Sequence, residues 1–151
     1  MSSRLTSTAG SKKINRFFSS SPEETAAIGR EIAFALKGDE VVCLRGDLGA
    51  GKTTLSKGLA SAFTGISPHE VNSPTFTYLN IYEGERILYH FDCYRLQGGD
   101  DFLAKGFDEY FGSLCLIEWP ERIEEILPLK RIDITISYHG EKGREITIET
   151  D

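Results

Sequence analysis

Eight consecutive residues in the first third of the chain constrain its fold more than any other segment. Residues 46–53, GDLGAGKT, match the pattern G-x-x-x-x-G-K-[S/T] at every fixed position. They follow a valine-rich apolar run, EVVCLR, that is too short for a helix. They precede Leu55, Leu59 and Phe63, which recur with helical spacing. A strand, a glycine-rich turn and a helix in this order predict a phosphate-binding loop (P-loop) inside an α/β domain.

Phosphate chemistry explains the residue types of this loop. Glycines have no Cβ, so the backbone N–H groups can turn inward as an anion nest, and the positive end of the helix dipole adds to it. Lys52 is expected to neutralise the β- and γ-phosphates, and the Thr53 hydroxyl to ligate Mg²⁺. The alternative is a glycine-rich turn that only caps a helix. Because the guanine-reading string Asn-Lys-x-Asp is absent from the chain, we predict ATP with Mg²⁺ rather than GTP.

Two acidic residues follow apolar runs and are candidates to complete the site. Asp92 ends the run ILYHFD, and Glu118 ends the run LCLIE. Ligands of open α/β sheets collect at the carboxyl ends of the strands, so either carboxylate could reach the P-loop. The alternative for each is a turn or helix-capping acid that merely follows a strand. Hydrolysis needs such carboxylates, whereas binding alone does not.

Other polar residues give weaker signals. Residues 73–76, SPTF, lie where other P-loop proteins have a switch segment that senses the γ-phosphate, although the same string is also typical of a plain turn. The three histidines, His69, His90 and His139, show no metal-binding spacing. We assign none of them a catalytic role.

The remaining pattern predicts one α/β domain with a mixed sheet flanked by helices. Ser21 is the expected N-cap of a first helix, with Pro22 at its first position and Glu24 closing a capping box. The other predicted elements are a helix over residues 52–63, a β-hairpin over 75–96, short helices over 98–112, a strand over 113–118, a helix over 120–127 and a closing antiparallel hairpin over 131–149.

Composition bounds the class of protein. The chain has 151 residues and a net charge of −6, yet its first four charged residues are all basic. We predict a disordered basic tail over residues 1–20 and a P-loop ATPase domain over residues 21–151. An acidic body argues against tight, direct nucleic-acid binding. Three dispersed cysteines and no long apolar run predict a reduced, cytoplasmic protein without membrane contact.

Four strings together resemble the bacterial TsaE family. They are residues 46–54 (GDLGAGKTT), 73–76 (SPTF), 90–96 (HFDCYRL) and 117–121 (IEWPE). Their order and spacing fit that family, and the similarity runs from about Glu23 to the final hairpin. The resemblance implies a small ATPase that works with TsaB and TsaD type proteins in forming threonylcarbamoyladenosine beside the anticodon of tRNA, and that meets tRNA only indirectly.

The resemblance also implies roles for individual residues. Thr53 and Glu118 would hold Mg²⁺, and Asp92 would assist hydrolysis. Thr75 would lie in the switch-like segment. The expected catalytic residues are therefore Lys52, Asp92, Glu118 and Thr75.

The start of the first helix and the last hairpin are implied to border the nucleotide, which adds two residues to the P-loop itself. The residues expected to contact ATP are Leu48, Gly49, Ala50, Gly51, Lys52, Thr53, Thr54, Ser21 and Gly143.

Two other functions stay open at this level. A small-molecule kinase usually needs an arginine-rich lid, but Lys105 is the one basic residue of the lid-like region 98–112. The second alternative function is a nucleotide-gated binding module with little turnover. Arg95 and Arg122 follow the two carboxylates closely, a spacing that suits a local ion pair at least as well as an arginine finger. We therefore expect slow hydrolysis by the chain alone and stimulation by partners.

Overall fold

The computed structural model describes residues 3–9, 12–47 and 49–150, and in them the predicted α/β fold is confirmed. The α-helices are α1 (Pro22–Ala35), α2 (Lys52–Thr64) and α3 (Gly99–Ala104). Shorter 3₁₀ helices cover Pro68–Glu70, Phe107–Tyr110 and Pro120–Ile126. The strands are β1 (Ser3–Ala9), β2 (Lys12–Ser19), β3 (Val41–Arg45), β4 (Leu79–Glu83), β5 (Ile87–Asp92), β6 (Cys115–Glu118), β7 (Ile132–His139) and β8 (Gly143–Thr150).

In the described residues all eight strands join one mixed sheet, in the order β1-β2-β8-β7-β3-β6-β5-β4. The four central strands, β7, β3, β6 and β5, run parallel. Antiparallel strands extend the sheet on both sides. Because parallel strands end at the same edge, the carboxyl ends of β3, β5 and β6 lie next to one another.

Strand β3 shows why the sheet is covered on both faces. Its alternate residues Val42 and Leu44 pack with α1 and α2 in one apolar cluster. Val41 and Cys43 point the opposite way and pack with α3 and the last two 3₁₀ helices in a second cluster. A short apolar strand buried on both faces is typical of the centre of a parallel sheet.

The cysteines are buried and unpaired, as predicted for reduced core residues. Burial raises the pKa of the Cys43 and Cys115 thiols to about 12. Thiols with so high a pKa are almost entirely protonated near neutral pH and are poor nucleophiles.

The N-cap prediction is confirmed in the structure, with one change. The Ser21 hydroxyl accepts a hydrogen bond from the Glu24 N–H at 3.1 Å. The Glu24 carboxylate, however, accepts from the backbone N–H of Ser20 at 2.7 Å rather than closing the box on Ser21 itself. The helix therefore begins where the sequence predicts, but the Glu24 carboxylate binds the N–H of the residue before the N-cap.

The structure differs from the prediction of a disordered tail over residues 1–20. Lys12–Ser19 forms β2, which pairs with the outer edge of β8, and Ser3–Ala9 pairs with β2 in turn. The Phe17 side chain is buried in the α1/α2 cluster. The edge of β8 offers unpaired backbone N–H and C=O groups. Pairing with them stabilises residues 12–19 as a strand, although the apolar pattern of this segment is weak.

A second, smaller difference concerns the predicted helix over residues 120–127: Pro120–Ile126 is a 3₁₀ helix kinked at Ile123 rather than a regular α-helix.

Within the described residues, none of the helices has both the length and the apolar composition that crossing a membrane requires.

Candidate functional site

A cleft of 370 Å³ opens at the carboxyl edge of the parallel strands. It is bounded by the P-loop on one side and by the ends of β5 and β6 on the other. Its lining residues are Gly49, Gly51, Lys52, Thr53, Thr54, Ser73, Thr75, Asp92, Glu118 and Trp119. The fold thus brings together both candidate carboxylates, most of the predicted loop residues and Thr75, which lie far apart in sequence.

The P-loop backbone has the conformation that its glycines predict. Gly46 has a φ of 151° and Gly51 a φ of 108°, both in the region that residues with a Cβ rarely adopt. A Cβ on Gly46 would also collide with the Ile136 carbonyl oxygen. Helix α2 then begins without a side-chain cap or an acidic residue in its first turn. Its first N–H groups therefore remain available to an anion. Leu48, predicted to contact the nucleotide, lies outside the described residues.

Lys52 lies at the first position of α2 and is only 7% exposed. Its Nζ sits 3.8 Å from the centroid of the Trp119 ring. This cation–π contact compensates part of the cost of burying the charge. Thr53, the next residue, is exposed to the cleft. Trp119 lines the same cleft and adopts a left-handed backbone with φ 58°.

Asp92 and Glu118 are neighbours in register at the ends of β5 and β6. Their exposed fractions are 6% and 4%. The Asp92 carboxylate accepts hydrogen bonds from the Tyr94 N–H at 2.9 Å and from the Thr75 hydroxyl at 3.3 Å. The two carboxylates therefore end neighbouring parallel strands and line the same cleft.

Sequence reasoning missed His90. Its Nε2 lies 2.5 Å from Glu118 Oε2, and the ring is fully buried. The sequence did carry a signal, because strand alternation puts residues 90 and 92 on the same face of β5. The pairing partner on β6 could not be found without the register of the two strands.

The 73–78 segment, SPTFTY, crosses the outer side of the cleft. The Ser73 hydroxyl lies 3.4 Å from Glu118 Oε2, a long hydrogen bond. Phe76 is 84% exposed, and Arg95 Nε donates to the Thr75 carbonyl at 2.9 Å. In the described residues Arg95 forms no ion pair with Asp92; its guanidinium lies over the Tyr78 ring, 4.6 Å from the centroid.

The closing hairpin also reaches the P-loop, through a residue that was not predicted. Arg144 Nε donates to the Ala50 carbonyl at 2.8 Å, and its guanidinium lies over the Tyr138 ring. This hydrogen bond ties the closing hairpin to the P-loop backbone.

A second cavity of 210 Å³ adjoins the first and shares Gly49, Gly51 and Thr54 with it. Ser21 lines it, as do Lys142 and Arg144 on either side of Gly143. Gly143 itself is not among the lining residues. The start of α1 and the closing hairpin thus flank a continuation of the cleft.

The donor set at the cleft suits Mg²⁺. Thr53 and Glu118 offer a hydroxyl and a carboxylate, both hard oxygen ligands. Across the described residues, no three His, Cys, Asp or Glu side chains are grouped as a protein-only metal site. Mg²⁺ does not need such a cage, because it typically takes one or two carboxylates together with substrate phosphates and water.

A larger cavity of 490 Å³ lies at the opposite edge of the sheet, beside Val41 and Ile132 at the start of β3 and β7. Parallel α/β sheets bind ligands at the carboxyl ends of their strands. None of the predicted site residues lines this cavity. We therefore assign function to the cleft at the P-loop.

Comparison with known proteins agrees with this geometry. The family model described as "Threonylcarbamoyl adenosine biosynthesis protein TsaE" matches residues 19–146. The chain is similar to the tRNA threonylcarbamoyladenosine biosynthesis protein TsaE of Bacillus subtilis (strain 168), with 48% identity over 83% of this chain and 79% of that protein. It is 42% identical to the TsaE protein of Treponema pallidum (strain Nichols), over 88% and 98% of the two chains.

A solved structure extends the likeness to three dimensions. The crystal structure of YdiB from Bacillus subtilis superposes with a TM-score of 0.79 at 39% identity, over 94% of this chain and 88% of that one. Sequence and structure comparisons thus cover the P-loop, both strand-end carboxylates and nearly the whole sheet. The chain belongs to the TsaE family.

Proposed function

We propose that this chain binds and hydrolyses ATP with Mg²⁺, and that hydrolysis supports the formation of threonylcarbamoyladenosine in tRNA together with TsaB and TsaD type proteins. The pathway comes from the names of its relatives. One observation carries the ATPase proposal: Asp92 and Glu118, in register and almost fully buried, line the same cleft as Lys52 and Thr53.

The residues of the cleft divide the work. The N–H groups at the start of α2 and the Lys52 ammonium would hold the β- and γ-phosphates. Thr53 and Glu118 would hold Mg²⁺, which when bound neutralises charge on the phosphate oxygens. Asp92 would orient the attacking water and accept its proton as the water oxygen bonds to the γ-phosphorus. The bond to the bridging oxygen breaks at the same time, leaving ADP and phosphate.

We expect slow turnover without partners because of where two arginines near the site lie. Fast P-loop hydrolysis usually draws on an arginine finger worth about 10³ to 10⁵ in rate. Arg95 is bonded to the Thr75 carbonyl, and Arg122 lies over the Tyr94 ring. Neither arginine is among the residues that line the cleft. We propose that the partners reorder the 73–78 segment around the γ-phosphate and so raise the rate.

The test is phosphate release from ATP, measured for the chain alone, with the two partners, and with the partners plus tRNA, each in Mg²⁺ and in EDTA. We expect slow release alone, none in EDTA, and a rise with the partners. Rapid release by the isolated chain, unchanged by the partners, would contradict partner gating. ATP binding without release under any condition would favour a nucleotide-gated binding module, and phosphate transfer to a small acceptor would favour a kinase.

A further inference from the structure

We propose that His90 is a positioning residue that holds the Glu118 carboxylate in the orientation that receives Mg²⁺. The inference rests on the proposed function, and it assigns a role to a buried histidine that the hydrolysis scheme does not use. His90 touches neither the phosphates nor the metal in this scheme. It acts through Glu118.

The contact between the two residues is short and shielded. His90 Nε2 lies 2.5 Å from Glu118 Oε2, and the two residues are 0% and 4% exposed. Shielding from water strengthens a hydrogen bond to a carboxylate. The other contact to this carboxylate, from the Ser73 hydroxyl, is 3.4 Å long. His90 is thus the main anchor of Glu118 within the described residues.

The two contacts share one oxygen. Both His90 and Ser73 meet Oε2, and no hydrogen bond to Oε1 occurs within the described residues. Glu118 lines the cleft that also contains Thr53. Anchoring one oxygen leaves the other for a cation, an arrangement typical of metal ligands that are oriented by a hydrogen-bonded neighbour.

The imidazole is itself held at its far side. His90 Nδ1 lies 3.3 Å from the Tyr82 hydroxyl, which donates to the Asn72 carbonyl at 2.6 Å. Asn72 precedes Ser73 at the start of the 73–78 segment. These contacts place the imidazole between the β4–β5 hairpin and the Glu118 carboxylate, with Nε2 directed at Oε2.

Two amide substitutions of His90 distinguish the contact made by Nε2 from the contact made by Nδ1. In His90→Gln the amide nitrogen stands as many bonds from the backbone as Nε2 and can still donate to Glu118. In His90→Asn the amide nitrogen stands where Nδ1 stands, so the contact with Tyr82 survives and the one with Glu118 is lost.

Calorimetry of ATP binding at increasing Mg²⁺ gives the half-saturating Mg²⁺ concentration, and the same titration in EDTA gives the metal-free affinity for ATP.

We expect His90→Asn to raise the half-saturating Mg²⁺ concentration about 10- to 100-fold, the usual cost of losing a partner of a metal ligand. His90→Gln should stay near the wild type, and ATP affinity in EDTA should be unchanged in both. Leu88→Ala, which truncates another buried side chain of β5, controls for lost stability and should leave the Mg²⁺ requirement unaltered.

Equal Mg²⁺ requirements for Asn and Gln, whether both are normal or both impaired, would overturn the inference. If His90→Asn does not fold, Tyr82→Phe replaces it, because it removes the hydroxyl next to His90 Nδ1. It should raise the half-saturating Mg²⁺ concentration, but by less than loss of the Glu118 contact itself; no rise would again overturn the inference. A wild-type chain whose ATP affinity does not respond to Mg²⁺ would instead refute the proposed function, so the two failures are distinct.

Discussion

The strand-end carboxylates and the 73–78 segment face the same cleft but are held in different ways. Asp92 and Glu118 lie on central strands, almost without exposure, and each has a hydrogen bond of 2.9 Å or less. The 73–78 segment has no regular structure, and its side chains meet those same carboxylates only at 3.3 and 3.4 Å. The carboxylate side of the cleft is part of the buried sheet, whereas the side formed by the 73–78 segment is attached to it by long hydrogen bonds.

This difference separates binding from turnover. Carboxylates fixed by a buried sheet can receive a metal ion without rearrangement, whereas an exposed segment with few buried contacts reorders at low cost. Under the proposed function, we expect the chain to bind its ligand alone and to need a partner to complete the outer side of the cleft. The following experiments test that division, beginning with the largest expected effect.

Removing the P-loop charge should have the largest effect. Lys52→Ala is expected to lower turnover by about 10² to 10³, as loss of a charge-stabilising group in such sites commonly does, and to weaken ATP binding measured by calorimetry. Lys57→Ala, on the same helix but away from the cleft, is the matched control. Unaltered ATP binding in Lys52→Ala would show that the phosphate site is misplaced.

The two carboxylates should differ in what they do to the metal requirement. Glu118→Ala and Asp92→Ala should each lower phosphate release about 10²-fold, by loss of charge stabilisation and of a general base respectively. Only Glu118→Ala should also reduce the dependence of ATP affinity on Mg²⁺. The exposed Asp108→Ala serves as control. An identical Mg²⁺ response in both variants would contradict the assignment of Glu118 as the ligand.

The exposed segment should matter chiefly in the complex. Thr75→Val removes the hydroxyl that meets Asp92 while keeping the shape of the side chain. We expect up to about a tenfold loss of turnover with the partners present, the value of one well-made hydrogen bond, and a smaller loss without them. Phosphate release with and without the partners measures both. A loss equal in the two conditions would mean that the segment is already ordered in the free chain.

The smallest effect is spectroscopic. When Lys52 moves from the Trp119 ring to the phosphates, the surroundings of the indole change, so tryptophan fluorescence should shift on adding ATP with Mg²⁺. Trp119 is the single tryptophan of the chain, and the signal therefore needs no labelling. A fluorescence spectrum unmoved at saturating ATP would contradict the placement of Trp119 and its neighbour Glu118 at the site.

Much of the fold followed from local pattern. The P-loop string, the Ser21 cap, the two hairpins and the valine-rich strand depend on residues close together in sequence, and backbone geometry at glycines and caps is set locally. Asp92 and Glu118 could be nominated because both end apolar strands. The family strings strengthened that choice.

What only the tertiary structure decided were contacts between distant residues. His90 pairs with a carboxylate 28 residues away, which depends on the register of β5 against β6. Arg144 reaches Ala50 across 94 residues, which depends on the hairpin folding over the loop. Strand β2 forms because β8 presents an open edge, although its own sequence favours no structure. Register, edge pairing and burial are properties of neighbours in space, and no local window of sequence contains them.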